Sequence, residues 1–256
     1  MIWIKAPQSL RLNVRLKEKT MRDHGHSPQE IASRIGAPVG SGILKDAVLG
    51  AIDGAVTTFA IVAGVAGAGL SPFVIVALGI ANVLADGFSM AAANYSGTKA
   101  ELDNMQRLRE LEERHIQKYP RGEWLEVREI LSKKGLTGVV LEDATNAITQ
   151  NRENWIALML EGEYGLAGVQ TRPEKAAATT FTAFLLAGII PLLPFLLGLP
   201  EAFLVSAIMT LVTFFVIGAL KSIWSLTPWW QSGGETFLIG GLAAAIAYLV
   251  GSLFHF

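Results

Sequence analysis

Three stretches of this 256-residue chain contain no Asp, Glu, Lys or Arg: Ala176 to Pro200, Ala202 to Leu220 and Thr236 to Phe256. A bilayer core about 30 Å thick takes roughly 20 apolar residues per helix, so each run is long enough to cross it. Only 17% of the chain is charged, against about one quarter in soluble domains. Soluble, secreted and nucleic-acid-binding classes are thereby set aside. The absence of cysteine excludes disulfides, Cys-ligated zinc and iron–sulfur clusters.

Two further apolar stretches lie nearer the N-terminus. Ala47 to Leu70 is interrupted only by Asp53, and Pro72 to Tyr95 only by Asp86. Ser71-Pro72 joins them as a tight turn, with proline at a helix start where its missing N–H costs nothing. The expectation is an all-α integral membrane protein with five transmembrane helices, at about 46–70, 72–95, 176–199, 202–220 and 236–255. All 21 Lys and Arg fall in segments 1–45, 97–175 and 221–235. An odd number of spans puts those three segments on one face, and the positive-inside rule makes it cytoplasmic. The N-terminal segment 1–45 is then cytoplasmic and the C-terminus lies on the opposite side. Trp224, Trp229 and Trp230 mark the 221–235 loop as headgroup-level. Segment 1–45 has no signal-peptide apolar region, and Met21 is an alternative start. His24 and His26 form a near-adjacent pair of metal-ligand type, but in an exposed tail they read as solvated side chains.

Residues 97–175 have a different character, with 14 acidic and 12 basic residues in 79 positions. They read as a water-facing helical insert between spans two and three, a cytoplasmic domain flanked by spans one and two (46–96) and spans three to five (176–256). Met105, Leu108, Leu111 and Ile116 give Lys99 to Tyr119 a helical period, and no breaker separates it from span two. Shorter helices follow at Glu123–Lys134, Leu141–Gln150 and Arg152–Tyr164, with Gly135 and Gly165 as stops.

An acid inside a span costs about 2.5–3.5 kcal/mol on insertion scales and usually lines a pathway. Asp53 and Asp86 lie roughly 10 and 13 Å from the cytoplasmic ends of antiparallel helices, at 1.5 Å per residue. Asn82, Asp86 and Met90 recur every four residues and share a helix face. An amide, a carboxylate and a thioether suit Mn²⁺ or Fe²⁺ better than Mg²⁺ or Ca²⁺. The plainer alternative makes the two acids structural hydrogen-bonding groups and Met90 a packing residue. In the insert, Glu101, Asn104, Leu108, Glu112 and His115 share one face. Glu112-x-x-His115 is the pairing that carboxylate-bridged iron sites use in helical bundles. Met159, Glu161 and Glu163 are placed to complete a site from the last insert helix. A solvated charged face is the competing account.

Taken together, these residues resemble the vacuolar iron transporter family. The resemblance is carried by Asp46-Ala-Val-Leu-Gly-Ala-Ile-Asp53-Gly54 and Ala85-Asp-Gly-Phe-Ser-Met90-Ala-Ala-Ala-Asn-Tyr95. Further matches are Lys99-Ala-Glu101, Met159-Leu-Glu-Gly-Glu163-Tyr-Gly-Leu166 and Gly188-Ile-Ile-Pro191-Leu-Leu-Pro194, so the likeness covers about 43–256. It implies a homodimeric antiporter that moves Fe²⁺, and Mn²⁺ or related divalent ions, out of the cytosol in exchange for protons. It places Asp53 and Met90 on the translocation path and a metal cluster on Glu101, Asn104, Glu112, His115, Met159, Leu160 and Glu163. Asn104, His115 and Leu160 depart from the Glu or Met of eukaryotic members. In span two the family pattern has Glu at Asn82 and Gly at Asp86, so the acid has shifted one turn along the same face.

The expected partners are divalent metal, protons and lipid, with no nucleic acid and no tightly bound cofactor. A transporter rather than an enzyme is implied. The compact chain suggests a prokaryotic plasma membrane, with a vacuolar membrane as the alternative. Two rival functions are a membrane-anchored iron-binding or ferroxidase-like protein and a structural membrane protein. The first calls for a second Glu-x-x-His pair, and the chain holds only the one at Glu112.

Overall fold

The computed structural model describes residues 26–35, 42–166 and 172–253, and all regular structure among them is helical. The stretch 1–20, Met21 and His24 lie outside the described residues. In order come α1 (Pro28–Arg34), α2 (Ile43–Gly67), α3 (Pro72–Lys118), α4 (Pro120–Lys133), α5 (Gly138–Thr149) and α6 (Arg152–Gly162). These are followed by α7 (Pro173–Gly188), a 3₁₀ turn at Ile190–Leu192, α8 (Leu193–Leu196), α9 (Ala202–Lys221), a 3₁₀ turn at Ser222–Trp224 and α10 (Trp229–Ser252). Five stretches are long and apolar enough to cross a membrane: Ile43–Gly67, Pro72–Lys118, Pro173–Leu196, Ala202–Lys221 and Trp229–Ser252.

The number of spans agrees with the sequence reading, whereas some of their ends differ. Helix α3 is one unbroken element of 47 residues, as the lack of a breaker after span two implies. The fifth span begins at Trp229 rather than at residue 236. A charge-free criterion stops at Glu235, but that carboxylate pairs with Lys221 at 3.6 Å and the helix runs through it. The third span is interrupted, because Pro191 and Pro194 lack the N–H groups that would continue the ladder.

The described residues form two compact units, one taking in Ile43–Ala92 and Ala177–Phe256, the other Ala93–Ala176. The first is patterned opposite to a soluble protein. Thr58, Thr180, Ser206, Thr210, Ser232 and Thr236 are buried, while Leu204, Ile208, Val212, Val216 and Leu220 line up exposed along α9. Lipid tails are as apolar as leucine, so nothing drives these side chains inward. Backbone groups find no water at that depth and must be satisfied within the protein. Ser206 Oγ accordingly donates to the Pro191 carbonyl at 2.6 Å, and Thr210 and Thr236 donate to carbonyls one turn back on their own helices.

Association here depends on close approach rather than on burial of large side chains. A Cβ at Gly50 would lie 2.4 Å from the Thr180 carbonyl oxygen, and one at Gly54 would lie 2.4 Å from that of Phe184. Helices α2 and α7 therefore cross backbone to backbone. Phe59, Val62, Ala63, Ile75, Val83 and Leu192 form an apolar cluster of this unit.

The second unit, by contrast, is built like a small soluble bundle. Val127, Leu131, Leu141, Trp155 and Met159 form one apolar cluster, and Leu108, Ile156 and Leu160 another. Proline at the start of α4 and the Asn151 side chain, accepting from the Asn154 N–H at 3.0 Å, begin two of its helices. Gly135 and Gly165, both at positive φ, end two, as expected where the chain must turn left-handed. Arg128–Glu142 at 2.6 Å, Lys134–Glu161 at 2.7 Å and Arg109–Glu153 tie its helices together at the surface.

Gly54 and Gly64 offer a paired test of the close crossing. Gly54→Ala forces a methyl into a backbone carbonyl, and overpacking of this kind costs about 1–3 kcal/mol. At Gly64 a Cβ meets nothing within 4 Å. Thermal melts of the two alanine variants in detergent should show a clear loss for Gly54→Ala and no loss for Gly64→Ala.

Candidate metal centres

In the first unit the acidic pair of the spans is assembled from α2 and α3. Asp53 is half-buried, and Asp86 is the charged group that acts on it electrostatically. Thr57 donates through Oγ1 to the Asp53 carbonyl at 2.9 Å, and Asn82 Nδ2 donates to Thr57 Oγ1 at 3.4 Å. Asn82 thus links span two to the turn of span one that carries Asp53. Met90 and Asn82 are half-buried and Asp86 is exposed in the single chain. The stripe expected from the four-residue spacing is present, flanked by a buried face of Ile75, Gly79, Val83 and Gly87. An apolar groove of about 490 Å³, lined by residues including Ala60, Gly64 and Gly251, offers no ligand atom.

In the second unit, Glu112, His115 and Glu123 bring one ligand atom each within 4.8 Å of one another. Glu112 and His115 come from α3 and Glu123 from α4. His115 Nδ1 lies 3.5 Å from Glu123 Oε1, and the Tyr164 hydroxyl donates to Glu112 Oε1 at 2.8 Å. Glu112 is 1% exposed and Glu123 4%, and the Oε2 atom of each is buried without a hydrogen-bond partner. Burial, reinforced by the negative charges of Glu126 and Glu112, pushes the Glu123 carboxyl up to about 8. Burial likewise raises Glu126, with Glu163 and Glu112 adding repulsion, and burial and the bond to Glu112 raise Tyr164.

The other residues singled out from sequence sit around this group. Glu163 is close enough to act on Glu123 and Glu126. Met159 is fully buried in the cluster with Val127 and Trp155, and Leu160 packs with Leu108 and Ile156. Glu101 is exposed and lies eleven residues before Glu112, about 16 Å along the helix axis. It is therefore not among the converging groups. Asn104 is occupied by Arg107, which donates to its Oδ1 at 3.0 Å. Glu161 is held by Lys134 and His26 belongs to the first unit.

Glu123, Glu126 and Tyr164 were absent from the sequence expectation. A signal for the first existed: the buried stripe Leu131, Val127 extended back one helical turn lands on Glu123. Leu108 extended forward one turn lands likewise on Glu112. Both acids occupy core register, which a count of charges along the insert conceals.

The comparisons with known proteins agree with this architecture. A family model described as the VIT family matches residues 44–252. "Vacuolar iron transporter 1" of Arabidopsis thaliana is 31% identical over 244 residues, covering 93% of each chain. The protein of that name from Eucalyptus grandis is 32% identical over 80% of this chain and 84% of its own. "Vacuolar iron transporter" of Toxoplasma gondii is 32% identical over 83% of this chain and 74% of its own.

The raised Glu123 carboxyl sets a pH dependence for the metal-free protein. Folded, it keeps its proton up to about 8, whereas unfolded it loses it near the ordinary value of 4.5. The folded state therefore holds the extra proton in between, and stability from this group falls as pH rises across that window. Glu123→Gln should raise the melting temperature of chelator-treated protein at pH 8, with little gain at pH 5. An equal shift at both values would contradict the assignment.

Proposed function

Because the chain belongs to the VIT family, we propose that it carries divalent iron out of the cytosol in exchange for protons, and accepts Mn²⁺ as well. The observation carrying this reading is the Asp53–Asp86 pair, two carboxylates within electrostatic reach on adjacent apolar helices. Relatives named vacuolar iron transporter supply the iron. The distribution of Lys and Arg supports a cytoplasmic location for the insert and for segment 1–45.

The chemistry of exchange follows from the ligands. A carboxylate in low dielectric is costly when charged and alone, and is relieved either by a proton or by a cation. Metal arriving from the cytosolic side displaces protons from Asp53 and Asp86, and protons arriving from the other side displace metal. The Met90 thioether favours Fe²⁺ and Mn²⁺ over Mg²⁺ and Ca²⁺. Asn82, through Thr57, holds the turn that presents Asp53. The insert gathers metal on its acidic groups, with Glu112 and His115 at the centre and Glu163 close by.

A homodimer accounts for the exposed side of span two. Asp86 is exposed in the single chain, on the face it shares with Asn82 and Met90. A carboxylate facing lipid costs about 2.5–3.5 kcal/mol, a cost removed when a second copy covers that face.

Fe²⁺ uptake into proteoliposomes under an imposed pH gradient tests the scheme. Asp53→Asn should reduce uptake to the protein-free background, and Glu163→Gln should slow it at low metal while leaving saturating uptake near normal. Unchanged uptake by Asp53→Asn would remove the intramembrane pathway.

A further inference from the structure

We propose that Glu123, reaching in from α4, is a metal ligand of the insert, and that with Glu112 and His115 it forms a site selective for divalent transition ions over Mg²⁺ and Ca²⁺. The inference rests on reading the chain as a metal carrier and adds to it a ligand from a helix that carries no residue of the family pattern. Three observations converge on it.

First, the three groups converge. Ligand atoms about 2.1 Å from a common ion lie up to about 4.2 Å apart. The three groups here stand within 4.8 Å, with His115 Nδ1 and Glu123 Oε1 at 3.5 Å. Small side-chain rotations complete the set.

Second, two buried oxygens lack a hydrogen-bond partner. A buried polar atom without a partner costs about 1–3 kcal/mol, more when charged. Glu112 and Glu123 each bury an Oε2 in this state, side by side, on residues more than nine-tenths buried. A shared cation would satisfy both at once. Tyr164 already holds the other oxygen of Glu112 at 2.8 Å, the outer bond that orients a ligating carboxylate. His115 is 41% exposed and gives the ion a way in.

Third, the donor set is selective. Mg²⁺ and Ca²⁺ are bound by oxygen, whereas imidazole suits the later first-row ions. His115 supplies that nitrogen where a glutamate would make an all-oxygen site. The class admitted is Fe²⁺, Co²⁺, Ni²⁺ and Zn²⁺, with Mn²⁺ weaker.

Co²⁺ titration of the full-length protein in detergent, followed by its visible absorption, tests the assignment. The chain has no cysteine to add thiolate bands. The parent should bind with bands of nitrogen–oxygen coordination that millimolar Mg²⁺ does not abolish. Glu123→Gln, checked for folding by its thermal melt, should weaken binding by about tenfold or more, the scale of a lost ligand or supporting group. Glu126→Gln removes a neighbouring charge without removing a ligand, and should leave affinity within about a factor of two. His115→Glu should retain binding while letting Mg²⁺ and Ca²⁺ compete. Equal weakening by Glu126→Gln and Glu123→Gln would show a general field rather than ligation and overturn the proposal, as would unchanged Co²⁺ affinity in Glu123→Gln. Asp53→Asn should keep the Co²⁺ spectrum whether or not it transports iron, so failure of the transport scheme and failure of the Glu123 site read out separately.

Discussion

Desolvation governs both units of this protein. In a bilayer core a polar group finds its partner within the protein or goes without, and an apolar side chain gains nothing by turning inward. The buried threonines and serines and the exposed leucine and isoleucine stripe of α9 follow directly. With no hydrophobic drive between helices, close approach must hold them. Gly50 and Gly54 meet the backbone of α7 for that reason, and the small residues there are part of the packing rather than gaps in it. Asp53 sits one residue before Gly54, so the crossing that holds the helices also sets where that acid lies.

The same cost acts in the insert on a smaller scale. Glu112 and Glu123 occupy positions that would hold leucine or valine in an ordinary bundle. Apolar residues of similar volume would make a metal-free insert more stable, since isolated buried carboxylates are costly. Retaining two acids, with a tyrosine holding one of them, is intelligible when something positive is to be taken up. Ligand binding then contributes stability that the empty fold lacks.

Much of this was legible in the sequence because lipid imposes long, simple patterns. Charge-free runs of twenty residues located the spans, and the absence of a breaker after Tyr95 indicated that span two continues into the insert. Asn82, Asp86 and Met90 were readable because one helix carries all three at a single spacing. The start of span five was not, because Glu235 is tolerated by its pairing with Lys221, a partner fourteen residues away in the chain. Glu123 was missed for a similar reason. Its neighbours in space, Glu112 and His115, belong to another helix, and nothing in local composition separates a buried acid from the solvated ones beside it. Glu101 shows the converse: it shares a helix face with Glu112, yet eleven residues of axial rise keep it from the group. Periodicity gives the face of a helix but not the depth of a site along it.

The two candidate sites also differ in a way that suits their proposed tasks. On the proposed reading, a collecting site in the insert works against a cytosol rich in Mg²⁺, so its problem is discrimination, and an imidazole beside two sealed carboxylates addresses it. A site within the spans must release what it binds, since conduction fails when an ion enters but cannot leave. Asp53, Asp86, Asn82 and Met90 include no histidine. A weaker, proton-sensitive set of oxygen donors with one thioether is what reversible exchange requires. On that reading, a nitrogen donor in the insert and weaker donors in the spans let selectivity and turnover be adjusted separately.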